Sequence, residues 1–199
     1  MLDERLVTVL TNEDIRLLRV EWLLAQQVDY KIQRRQELEK LERADRGLTP
    51  FLTGEEAAAL IRNGAREVGA LSYGWLLPWD PDPTGERLRL LQRVLKQRPG
   101  IKAIFWDQAT LYQPPRIDQE QAAFDRALDV MMDLYASAIG TTCAVAQTPA
   151  LLLTPAPSTL SFSCLAVCFR SRTSRADRLS LMGCFAWEAS GKVPTRRRS

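Results

Sequence analysis

Three short apolar runs, EVGALSY at 67–73, IKAIFW at 101–106 and TTCAVA at 141–146, alternate with two stretches of helical periodicity. Each run has strand length and an almost uninterrupted apolar centre, the pattern of a strand covered on both faces. The stretch TGERLRLLQRVLKQRPG puts Leu88, Leu91 and Leu95 on one helical face, with Thr84 as its candidate cap and Pro99-Gly100 as its stop. A second helix is expected from about Asp118 to Ala136, with Phe124, Leu128, Met131 and Tyr135 inward; Met131-Met132 is core packing there, not a metal site. Strand, helix, strand, helix, strand with tight connections specifies an α/β fold with a short parallel sheet and flanking helices.

Upstream, Thr53 and Glu56 form a capping box for a short helix that ends at Asn63-Gly64. Further upstream, Thr11 and Asp14 suit a helix start, and a long N-terminal helix is expected from about Glu13 to Glu42. Ile15, Leu18, Trp22 and Ala25 recur in its first half at spacings of three and four. Its second half, KIQRRQELEKLERADR, is mostly charge with Ile32, Leu38 and Leu41 as sparse apolar points, a solvated or partner-seeking surface. The chain thus divides into an N-terminal helical extension at 1–47, an α/β domain at 48–147 and a Ser/Pro/Arg-rich tail at 148–199.

Charge follows that division. Residues 1–147 hold 19 Lys/Arg against 22 Asp/Glu, a net of −3, whereas 148–199 hold 8 against 2, a net of +6. A nucleic-acid function for the domain has no charge behind it. Eight of the ten serines fall in the last 52 residues, where periodicity is lost and Pro149, Pro155 and Pro157 crowd together. This tail is expected to be a disordered extension, or sequence from a misread gene boundary in place of further strands, or a solvated basic tail; RRR at 196–198 as a nuclear signal ranks below these.

Several chemistries are excluded. The chain has no histidine, which removes Ser-His-Asp and Cys-His nucleophile systems and most catalytic zinc sites. Its four cysteines, Cys143, Cys164, Cys168 and Cys184, form no CxxC pair and read as thiols in a reducing compartment, so a cytoplasmic location is expected. The N-terminus has no secretory pattern. Residues 150–169 are apolar but interrupted by proline, and a membrane span is not expected. GWLLPWDPDPTG after the first strand matches no glycine-rich phosphate loop. No cofactor and no metal are expected.

In parallel sheets ligands bind outside the carboxyl ends of the strands. Ser72, Tyr73 and Trp75 end the first strand and Asp107 ends the second. With Gln113 they form the candidate ligand crevice. The alternatives are structural: Trp75 and Trp79 shielding the sheet edge, Tyr73 and Trp106 in the core, Asp107 holding a loop amide.

ALSYGW at 70–75, IFWDQATLYQ at 104–113 and MMDLYASA at 131–138 resemble, in order, the three blocks of heterokaryon-incompatibility (HET) domains. Leu76 stands where that family has a glycine, and Ala109-Thr110-Leu111 where it has a cysteine-containing stretch. HET domains are similar in turn to Toll/interleukin-receptor (TIR) domains. The resemblance implies a flavodoxin/TIR-like sheet and a signalling module that assembles with protein partners or with itself. Some TIR relatives hydrolyse NAD with a glutamate on a helix after the third strand. After GTTCAVAQ the only glutamate here is Glu188, far into the tail, so that carboxylate has no matching position. An interaction or signalling module without catalysis of its own is the expected function; the alternative is a nucleotide-ligand enzyme of the NAD-hydrolysing type using Asp107.

Overall fold

The computed structural model describes residues 4–44, 47, 49–72, 80, 82–136 and 141–145. In chain order the elements are α1 (Glu4–Thr11), β1 (Leu18–Arg19), α2 (Val20–Ala25), α3 (Arg35–Ala44), α4 (Gly54–Asn63), β2 (Val68–Ser72), α5 (Glu86–Gln97), β3 (Ala103–Phe105), α6 (Asp107–Thr110), α7 (Asp118–Ala136) and β4 (Thr141–Val145). The sheet order is β1-β3-β2-β4. β2 runs parallel to both β3 and β4, with Ala70 opposite Phe105 and Cys143, while β1 adds a two-residue antiparallel edge to β3. The three expected strands and their parallel pairing are present.

Side-chain alternation along the strands separates two apolar layers. Val68, Ala70, Ala103 and Phe105 face α1, α4 and α7, where Leu6, Leu10, Ile61, Val130 and Leu134 are buried. Leu71, Ile104 and Trp106 face the other way, onto Leu23 of α2, Leu38 of α3 and Leu88, Leu91 and Leu95 of α5. The helix that follows β2 and the helix that follows β3 therefore cover opposite faces, which is why both strands are apolar throughout.

The long N-terminal helix expected from Glu13 to Glu42 is not formed. Thr11 ends a helix rather than starting one, and Glu13 takes a positive φ of 59° immediately afterwards. The chain then contributes Leu18 and Arg19 to the sheet, opposite Ile104 and Ala103. Ile15 and Leu17 enter one apolar layer, Leu18 and Trp22 the other, and Ala25 is exposed. What resembled one helical stripe is thus two sets of residues divided between two faces of a sheet. Residues before 48 build the sheet's edge and both layers.

Close backbone approach fixes α1 on α4. A Cβ on Gly54 would lie 2.6 Å from the Thr11 carbonyl and 2.7 Å from that of Leu10, so only glycine fits. The same helix start carries the expected capping box: Thr53 Oγ1 accepts from Glu56 N, and Thr53 N donates to Glu56 Oε2 at 2.8 Å. That backbone hydrogen bond holds the Glu56 carboxyl below its usual range. At the far end Gly64 adopts the left-handed conformation, as Asn63-Gly64 predicts.

Two expectations about helix faces are corrected. The cap of α5 is not Thr84. Gly85, at φ 71°, is the N-cap residue, and buried Asp82 reaches past it so that Oδ1 accepts from Arg87 N and Oδ2 from Leu88 N, both at 3.1 Å. A carboxylate on two free amides at a positive helix end is a strong cap. Asp82→Ala is expected to cost about 1–2 kcal/mol, and Asp82→Asn less, measured by urea unfolding. On α7 the inward residues are Ala123, Ala127, Val130, Met131 and Leu134; Leu128 is 42% exposed, and Phe124 and Tyr135 are only partly buried. Bulk misled the periodicity, because small alanines take the positions where helix and core approach closest.

Candidate functional site

The parallel register sets the level of the candidate crevice. β2 and β3 pair last at Ala70 and Phe105, so two residues further on Ser72 and Asp107 stand at the same level of the carboxyl edge. Ser72 is the last residue of β2 and pairs with Val145 at the end of β4. Tyr73 and Trp75, with Trp79, lie outside the described residues, as does the tail at 148–199. Of the five candidates, Asp107 and Gln113 have described side chains.

Both of these hold the loop that follows β3. The expected polar loop begins as one helical turn, α6, built on the carbonyl of Trp106, which accepts from Ala109 N at 2.8 Å, Thr110 N at 2.9 Å and Thr110 Oγ1 at 2.9 Å. Asp107 Oδ1 accepts from Gln108 N at 2.7 Å, and its carbonyl accepts from Leu111 N and from Gln113 Nε2. Gln113 Nε2 also donates to the Leu111 carbonyl at 3.1 Å. Its backbone is clamped from α3: Gln36 Nε2 donates to the Gln113 carbonyl at 2.6 Å, and Gln113 N donates to Gln36 Oε1. Trp106 is fully buried, the core position that the sequence offered as its structural alternative.

Behind this loop lies the group that sequence reasoning missed. Arg35 is 1% exposed. Its Nε donates to Glu39 Oε1 at 2.8 Å, its Nη1 to the carbonyls of Asp14 and Thr110, and its Nη2 to that of Glu13 at 2.6 Å. The guanidinium also stacks on Tyr112, 3.8 Å from the ring centroid. Burial pushes the Tyr112 phenol above its ordinary range, against the opposing charge of Arg35. One cation thereby ties α3, the α1–β1 turn and the loop after β3 together. Nothing in RRQELEK marks Arg35 apart from Arg34.

Elsewhere, a surface cleft of about 410 Å³ is lined by Ala65, Arg66, Gln97, Arg98, Gly100 and Ile101. These residues precede β2 and β3, so the cleft lies at the amino ends of the strands, opposite the candidate crevice. Among the described residues no group of three or more His, Cys, Asp and Glu side chains could hold a metal ion, and no helix is long and apolar enough to cross a membrane.

Comparison with protein-family models, with curated proteins and with solved structures gives no match to this chain.

Proposed function

We propose that the protein is a HET/TIR-like interaction or signalling module that assembles with protein partners or with further copies of itself, without catalysis of its own. The observation that carries this reading is the order of the parallel strands. Taken alone, β2, β3 and β4 stand second-first-third across the sheet, the opening of the flavodoxin-like order 2-1-3-4-5. The described residues of the three sequence blocks that carry the HET resemblance lie at the end of β2 (70–72), from β3 through α6 (104–113) and at the end of α7 (131–136). Against a catalytic use, Asp107 and Gln113 are engaged in shaping their own loop.

Incubation of the purified chain with NAD separates the module from an NAD-hydrolysing enzyme that uses Asp107. No NAD consumption is expected. Asp107→Asn should cost under about 1.5 kcal/mol of stability, the worth of one neutral hydrogen bond. NAD turnover by the wild type that Asp107→Asn abolishes without unfolding would replace the module by the enzyme. Assembly has its own readout, since light scattering across a concentration series should show mass rising above the monomer.

A further inference from the structure

The helices that cover opposite faces of the sheet turn opposite charges to solvent. On α5, Arg89, Arg93 and Lys96 follow at spacings of four and three, so they share one side of the helix. Arg93 and Lys96 are exposed, and Arg89 is partly buried with Nη1 on the Val28 carbonyl. The one acid of α5, Glu86, lies in the first turn, where it suits the helix dipole. On α7, Asp118, Asp125 and Asp129 follow at spacings of seven and four, and all are exposed. The one cation of α7, Arg126, is held by both carboxylate oxygens of Asp14. Among the described residues, none of the three α5 cations or three α7 aspartates enters an ion pair.

Each stripe repels itself. Like charges four residues apart, Arg89 with Arg93 and Asp125 with Asp129, oppose their own helix. The apolar surface beside them is matched as well. Leu90 and Val94 are partly buried next to the α5 cations, and Leu128, 42% exposed, lies between Asp125 and Asp129. The two stripes cannot meet within one chain, because α5 packs on the layer of Leu71 and Ile104 and α7 on that of Ala70 and Phe105. Complementary surfaces on opposite sides of a molecule join copies head to tail.

We propose that the α5 face of one copy docks on the α7 face of another, Arg93 and Lys96 against Asp125 and Asp129 around Leu128. The proposal rests on the module reading and names the surfaces by which copies of this chain meet. Light scattering by the full chain should show mass that rises with concentration in low salt. The rise should vanish in molar salt, where the Debye length falls from about 10 Å at 0.1 M to about 3 Å. Arg93→Glu with Lys96→Glu, or Asp125→Lys with Asp129→Lys, should each weaken assembly about tenfold or more by setting like charges together. All four positions are exposed, so the fold is retained, which circular dichroism checks. The two reversed chains, mixed, should assemble again, since each restores opposite charge to the other. A wild type that stays monomeric overturns the proposal and leaves the module to other protein partners. Assembly that survives molar salt or both reversals, or does not recover in the mixture, overturns the surfaces but not the module. Loss on reversing α7 alone would give its acidic face to another cation, such as the arginines at 196–198, and overturns the proposal too. NAD turnover, which would sink the module reading, is read in a separate assay.

Discussion

Arg35→Met is expected to destabilise the fold by about 3–5 kcal/mol, the cost of removing one partner from a buried ionic network. Methionine approximates the length of the aliphatic stem, so packing alone would make the exchange mild. The loss comes from what stays behind. The Glu39 carboxylate, 13% exposed, loses its buried cation and retains Arg43 at 3.5 Å and the Tyr112 hydroxyl. The carbonyls of Glu13 and Asp14 lose their guanidinium donors, whereas that of Thr110 still accepts from Arg16 N at 3.2 Å. Arg35→Lys should recover only part of the loss, since one ammonium cannot reach three carbonyls and a carboxylate in the planar fork that Arg35 uses, nor stack on Tyr112 as a guanidinium does. Urea unfolding of the two variants checks both figures. If Arg35→Met costs less than about 1 kcal/mol, the site is no more than a surface ion pair.

The same residue shows where sequence reading stops. From the end of α4 onward the sequence is punctuated by Asn63-Gly64, by the prolines at 81 and 83 and by Pro99-Gly100, with apolar runs of strand length among them. Backbone chemistry marks those boundaries locally, so the strands at 68–72, 103–105 and 141–145 were legible. Before residue 48 no such marks exist. β1 is two residues long, and its partner is β3, some 85 residues away; a pairing of that kind leaves no local pattern. Its flanking apolar residues have helical spacing by coincidence with a strand-to-helix switch at Arg19 and Val20. The charged run at 31–46 reads as solvated because an arginine with four partners on three segments has the same letter as one in water. Only tertiary structure separates them.

The candidate site divides likewise. That Asp107 would stand at the carboxyl edge followed from its place after a strand, and the register puts it level with Ser72. That its carboxylate would turn to Gln108 N, and that Gln113 would fold back on the carbonyls of Asp107 and Leu111, depends on the single turn α6. Such a turn is too short for periodicity to detect. Thr84 was misjudged for a related reason: a cap is usually sought beside the helix, whereas Asp82 reaches its amides across a turn that needs Gly85 at positive φ.

Trp106→Ala is expected to cost about 3–5 kcal/mol, the range for truncating a fully buried large aromatic. Trp106 is fully buried on the face of β3 that carries Ile104, in one layer with Leu38, Leu71, Leu88 and Leu91. These side chains come from α3, β2 and α5, so no single element can move in to fill the space left by the indole. Against a total stability of roughly 5–15 kcal/mol for a domain, the loss is more than half at the lower end. Trp106→Phe keeps an aromatic ring in place and should cost distinctly less. The effect should also reach the carboxyl edge, because the Trp106 carbonyl anchors α6 through Ala109 N, Thr110 N and Thr110 Oγ1. Hydrogen exchange at Thr110 and Leu111 should therefore rise in Trp106→Ala by more than the global destabilisation requires. A loss below about 1 kcal/mol would place the indole at the surface, available to a ligand at the crevice. A full loss with unchanged relative protection at Thr110 and Leu111 would keep Trp106 in the core but detach the loop's order from it.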